Sequence, residues 1–251
     1  MAGTKYANPP IDEAVCQFTL AEPVTWSAST PGHLFESLKD RYPGLPSQQQ
    51  LLQANLTPGG GIISPELALT HNERVVFIDE KNEGRLSVGP RIVSLHRAQP
   101  YIGFEEELLP RVKRDIPAVL EVLEHTPAFS AVSVRYINKI VIRENHFDLA
   151  EYFTYWGASS ALPEPFDGEI SGFFYRIGGK GSSRPETLTL TFGSVDAPKD
   201  SAAFILDIDL THNFEESLDT EGAITRLIEL KALENQIFES LLTDKCRELF
   251  R

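Results

Sequence analysis

Cysteine, methionine and tryptophan are scarce in this chain of 251 residues, which holds two Cys, one Met and two Trp. Cys16 and Cys246 lie near opposite ends, form no CxxC pair and have no histidine beside them. Idle buried thiols are the expectation, with a disulfide joining the chain ends as the alternative. The six histidines never fall at metal-ligand spacing, so no metal site is expected from them. A GxSxG elbow is missing, and the glycine clusters at 59–61 and 177–181 match neither GxxxxGK[ST] nor GxGxxG. No catalytic residue and no cofactor is therefore expected. Long apolar runs are missing too: nothing approaches the roughly 18 residues that would span a bilayer. The start, MAGTKYANPPIDEA, lacks the apolar stretch of a secretory signal, which leads to the expectation of a cytoplasmic protein.

Positive charge is also in short supply. Lys and Arg total 23 against 36 Asp and Glu, a formal net charge of −13. Residues 195–251 alone carry 13 acidic and 6 basic side chains. Such a surface repels phosphate backbones, which disfavours non-specific nucleic-acid binding and suits a basic protein partner. The plainer reading is that the acidity serves solubility.

What is present is dense secondary-structure patterning. AVCQFTL reads as a strand, and HLFESLKDRYP as a helix with Thr30 as its cap and Pro31 in its first turn. A Gln/Gly/Pro-rich stretch near 44–66 reads as a mobile insertion. ERVVFIDEKNEGRLSVGPRIVSLHR supplies two or three strands, turning at Asn82 to Gly84. FEEELLPRVKRDIPAVLEVLEH (104–125) is a helix that Pro110 and Pro117 should kink or split. FSAVSVRYINKIVIRE is the strongest strand, DLAEYFTYW a short helix, and SGFFYRIGG, ETLTLTFGSV and AAFILDIDLTH are three more strands. Gly178 and Gly179 read as a hairpin turn. A long amphipathic helix over about 220–249 closes the chain.

The element order of 1–127 repeats in 128–251. This predicts an α+β fold of duplicated β-α-β-β-β-α units, with a largely antiparallel sheet and two long helices on one face. A saddle like that of the TATA-box-binding protein is the expected shape, and a sheet gripping one long helix is the alternative. NPPIDEAVCQF, RYINKI, LDID and FESLLTDKCRELF, in that order, together resemble a sporadically distributed bacterial family of about 250 residues whose function is not established. The resemblance brings no catalytic residues. Irregular distribution of this kind implies horizontally travelling accessory genes, a habit of defence systems and toxin–antitoxin modules.

Two strands carry the candidate chemistry. In FILDIDLTHN, Asp207 and Asp209 share one face while Phe204, Leu206, Ile208 and Leu210 share the other. In VSVRYINKIVIR, Arg135 and Lys139 share a face opposite Tyr136, Asn138 and Ile140. If these strands are neighbours, the aspartates pair across with Arg135 or Lys139, and Arg176 extends the same polar face. Arg135, Lys139, Arg176, Asp207 and Asp209 are thus the candidate ligand or partner surface, set against a simply solvated face. The leading expectation is a non-catalytic protein-binding module, the regulatory or neutralising member of a defence or toxin–antitoxin pair. A small-molecule or nucleotide sensor on the polar face comes second, and a metal-dependent hydrolase using Asp207, Asp209 and His212 third. Tyr101, Tyr152, Tyr155 and Trp156 lack the basic surroundings that base stacking needs, so they are expected in the core.

Overall fold

The computed structural model describes residues 5–51, 72–144, 146–154, 172–182 and 184–251. Its strands are β1 (Ile11–Leu20), β2 (Ser47–Leu51), β3 (Asn72–Ile78), β4 (Gly84–Val88), β5 (Ile92–Ala98), β6 (Phe129–Ile142), β7 (Phe174–Lys180), β8 (Glu186–Val195) and β9 (Ala202–Leu218). They form one sheet in the order β2-β3-β4-β5-β1-β6-β9-β8-β7, antiparallel throughout. Hairpins build each flank, and β1 against β6 joins the flanks, with Gln17 opposite Ser133. The helices α1 (Thr30–Leu38), α2 (Leu109–Val122), α3 (Leu149–Tyr152), α4 (Thr220–Leu241) and α5 (Asp244–Glu248) pack on one side. The chain is therefore α+β with a large antiparallel sheet and one-sided helices.

Alternation explains the layering. Ala14, Cys16, Phe18 and Leu20 of β1 and Val134, Tyr136, Ile140 and Ile142 of β6 are buried under the helices, and their sequence neighbours face the other way. On α2, Val112, Ile116, Val119 and Leu120 make the matching stripe, and on α4 Ile224, Leu227, Leu230, Phe238 and Leu241 do. A polar knot locks α2 to the end of α1. The fully buried Asp115 carboxylate accepts from Arg41 (2.7 Å), from the Tyr42 hydroxyl (2.6 Å) and from Arg114 through two nitrogens (2.8 and 2.9 Å).

Several expectations change. The long helix over 104–125 is not split at a proline; it opens with a π-turn (Phe104–Leu108) and continues as α2. Pro110 has no N–H and its ring crowds the preceding turn, and the wider i→i+5 turn absorbs both effects. The closing helix is two helices. Leu242 is extended, and Thr243 caps a new start by accepting from the Cys246 N–H, so α4 ends at Leu241. Thr30 does not cap α1; Ser29 holds that position without a side-chain bond. Gly178 and Gly179 lie within β7, opposite Thr189 and Leu188, and the reversal comes after Lys180. Within the stretch read as a mobile insertion, Ser47–Leu51 is a strand paired with β3, and 52–71 lies outside the described residues. Tyr155 and Trp156 also lie outside them. Both cysteines are free and buried.

Candidate functional site on the open sheet face

The side of the sheet away from the helices carries the candidate residues, and strand register decides who meets whom. Arg135 lies directly across from Asp209, and Ile137 from Asp207. The Arg135 guanidinium nevertheless reaches diagonally and grips Asp207 with two parallel bonds, Nε to Oδ1 at 2.9 Å and Nη2 to Oδ2 at 2.8 Å. A planar fork on a carboxylate is the geometry that makes such pairs strong. Asp207 is only 8% exposed although, among the described residues, no helix covers its side of the sheet. The bond to Asp207 is the main cause that raises the Arg135 pKa further.

Asp209 is left over. It is half-buried, and among the described residues no hydrogen bond reaches its carboxylate. Burial pushes its pKa up; the nearby Arg135 and Arg176 oppose that, and Asp207 adds to it. Arg176 faces the same side through its register with Thr191, which in turn lies across from Asp207. Lys139 is displaced from the acids: it lies across from Ile205 and is exposed, and among the described residues no ion pair holds it. The structure therefore brings Arg135, Asp207, Asp209 and Arg176 into one neighbourhood and sets Lys139 to its edge.

The same face continues onto the other flank. In β1, Glu13 and Val15 stand beside Ile137 and Arg135, and in β5 His96 stands across from Val15. His96 Nδ1 is 3.0 Å from Glu13 Oε1, and its Nε2 is 3.0 Å from the Ser94 hydroxyl. The His96 bond is the chief cause that lowers the Glu13 pKa. Arg85 of β4 extends the strip past His96. One row of small polar side chains crosses most of the sheet in register: Ser87, Ser94, Gln17, Ser133, Thr211 and Thr187, ending at Lys180.

Glu13, His96 and Arg85 were not among the sequence candidates. Their alternation within IDEAVCQF and IVSLHRA was readable, but their adjacency to Arg135 depends on the pairing of β1 with β6, which no local signal reports. His212 does not join Asp207 and Asp209. Its odd spacing puts it on the helix side, where Nδ1 is 3.3 Å from Glu186 and the ring lies 5.2 Å from that of Phe214. The three groups named for a metal-dependent hydrolase thus do not converge, and no cluster of three or more His, Cys, Asp or Glu with metal-binding geometry occurs among the described residues. The face can hold ions and hydrogen-bonding groups of a partner, and neither thiol reaches it: both are buried in the helix-side layer and pushed up to about 12 by burial. Compared with known proteins, the chain matches no protein-family model and no curated protein sequence.

Proposed function

We propose that this is a non-catalytic binding protein that docks a basic segment of a protein partner on the open face of its sheet. The observation that carries the reading is Asp209: a half-buried carboxylate that accepts no hydrogen bond among the described residues, set beside the Arg135–Asp207 fork. A lysine or arginine from a partner would donate to the Asp209 carboxylate, beside Thr189 on the neighbouring strand, while Arg135 stays engaged by Asp207. Exposed Glu215, Glu216 and Glu221 near the end of β9 and the start of α4 would draw such a partner in over longer range. In a cytoplasmic setting, the same chemistry suits a regulatory or neutralising member of a bacterial defence or toxin–antitoxin pair, whose counterpart is a basic protein.

The proposed saddle belongs to this reading. Strand order is mirrored about the β1/β6 pair, so that β5 corresponds to β9, β4 to β8 and β3 to β7, and a helix of 14 or 22 residues follows β5 and β9. That symmetry supports two copies of one unit, 1–127 and 128–251, with the open face as their shared concave surface.

The test is affinity capture from the native host with the wild-type chain, Asp209→Arg and Glu229→Arg. Glu229 is on the helix side, in an exposed pair with Arg226. One stoichiometric partner that Asp209→Arg loses and Glu229→Arg keeps is the expected result. No partner, or a partner indifferent to Asp209→Arg, overturns the reading.

A further inference from the structure

Behind the open face, on the helix side of β1 and β6, lies a cleft of about 710 Å3. Its volume is in the range of small-molecule sites. The N-terminal arm forms one wall, pinned at Tyr6, whose hydroxyl donates to Glu239 of α4 (2.8 Å), and at Lys5, which pairs with Glu106 of the π-turn (2.6 Å).

The floor is polar at a depth where polar groups are costly. Lys231 of α4 donates to Glu234 (2.5 Å) and to the Asn235 carbonyl oxygen (2.7 Å), and its ammonium sits 3.6 Å from the centre of the Tyr136 ring. Glu234 is 2% exposed, and burial raises its pKa against the pull of Lys231. Tyr136 and Tyr101 share one hydroxyl–hydroxyl bond of 2.9 Å, so one of the two protons stays unused between them. Asn138, 2% exposed, completes the floor. Its amide nitrogen faces two carbonyl oxygens, of Leu206 (3.1 Å) and Tyr136 (3.4 Å), which fixes the orientation of the amide. The Asn138 carbonyl oxygen therefore lies on the cleft side, and no described donor reaches it. That oxygen stays accessible from the cleft, so a ligand that displaces water there must replace the water's hydrogen bond.

The unused groups define a complement. The Asn138 carbonyl and the second Glu234 oxygen accept, the Asn235 amide nitrogen donates, and Tyr6, Tyr101, Phe104 and Phe238 give aromatic walls. At the rim Lys5 pairs with Glu106 and Arg247 with Glu239, and the remaining Glu105 leaves a negative excess that opposes anionic ligands. We propose that this cleft binds a planar, amino-substituted nitrogen heterocycle that bears no phosphate, the class to which nucleobases and nucleosides belong. The amino group would meet Asn138 and Glu234, a ring nitrogen would meet Asn235, and the ring would lie between the aromatic walls. This site uses other residues than the docking face, and neither proposal depends on the other.

Isothermal titration and thermal shift of the full chain against the common nucleobases, their nucleosides and the matching mono- and triphosphates test this. One base or nucleoside should bind saturably at 1:1 and raise the melting temperature, and each added phosphate should weaken it. Asn138→Leu should weaken binding at least tenfold. Asn235→Ala and the exposed rim change Glu105→Lys keep the test open if Asn138→Leu does not fold. The first should weaken binding of the base, and the second should narrow the gap between nucleoside and nucleotide. Absence of binding at millimolar ligand, triphosphates binding as tightly as nucleosides, or unchanged affinity in Asn235→Ala each overturns the proposal.

Discussion

Replacing Arg135 with methionine asks whether the open-face fork is a built feature or ordinary wet surface. The variant keeps the length of the side chain on the sheet and removes its charge. Two charge-assisted hydrogen bonds of 2.9 and 2.8 Å disappear, each worth about 1.5–3 kcal/mol when fully desolvated. Full desolvation holds for only one partner: the Asp207 side chain is 11% exposed, that of Arg135 46%. Screening on the arginine side therefore brings the expected loss to about 2 kcal/mol at pH 7. In a chain of this size that lowers the melting temperature by about 4–8 °C. The two aspartates would then face each other with only the more distant Arg176 as a cation, and Asp209→Asn added to the variant should recover part of the loss. A protonated carboxyl needs no cation, so the deficit should shrink as the pH is lowered through the carboxylate range. Urea unfolding of wild type, single and double variants at pH 7 and at pH 4 reads all of this. A loss under about 0.5 kcal/mol at pH 7, the scale of exposed surface pairs, would refute the reasoning.

Asp115→Ala should cost about 2–3 kcal/mol, because it removes the acceptor of the buried Tyr42 hydroxyl and of Arg41 and Arg114, whose partial exposure softens the loss; urea unfolding showing less than about 1 kcal/mol would contradict this. Asp209→Asn should be more stable than wild type at pH 7. Its folded pKa is raised, so the folded state holds the proton more tightly, and wild-type stability falls as pH rises from the unfolded value through the folded one. The advantage should vanish near pH 3, and an advantage independent of pH would rule out this cause. Cys16 and Cys246, buried and pushed up to about 12, should react with a thiol reagent only after unfolding; fast labelling of either in the native protein would contradict the placement.

Much of the sheet was readable because period-two alternation is a local signal. FILDIDLTHN and VSVRYINKIVIR each showed one apolar and one polar row, and the opposite charges of the polar rows anticipated that Arg135 would meet the aspartates. The register that sends the guanidinium to Asp207 and leaves Asp209 alone is a matter of side-chain geometry, which composition does not report. Helix ends were less legible. Leu241, Leu242 and Phe250 keep the chain apolar across the break between α4 and α5, so periodicity concealed the cap at Thr243. The cleft left two traces that are clear only afterwards. Asn138 is a lone amide in an otherwise apolar, core-facing row, and Glu234 interrupts the stripe between Leu230 and Phe238. A buried polar residue on a core-facing row is ambiguous until its neighbours from distant segments are known. Here they come from the loop at Tyr101 and from α4.

The β1/β6 seam also bears on how the chain reaches this state. The hairpins on either flank close short loops, as where Thr191 meets Asp207, whereas Gln17 must find Ser133 from the far side of a whole flank. Closing the longer loop costs more entropy before any contact repays it, so the flanks should form first and the seam last. Until then β1 and β6 are bare edges, able to capture another chain. Conservative variants at Val134 or Phe18 would then change the unfolding rate and leave the folding rate nearly untouched, and φ values near one there would reverse the order. The centre of the sheet, the best-buried part of the finished molecule, would be the place where its assembly is most exposed to error.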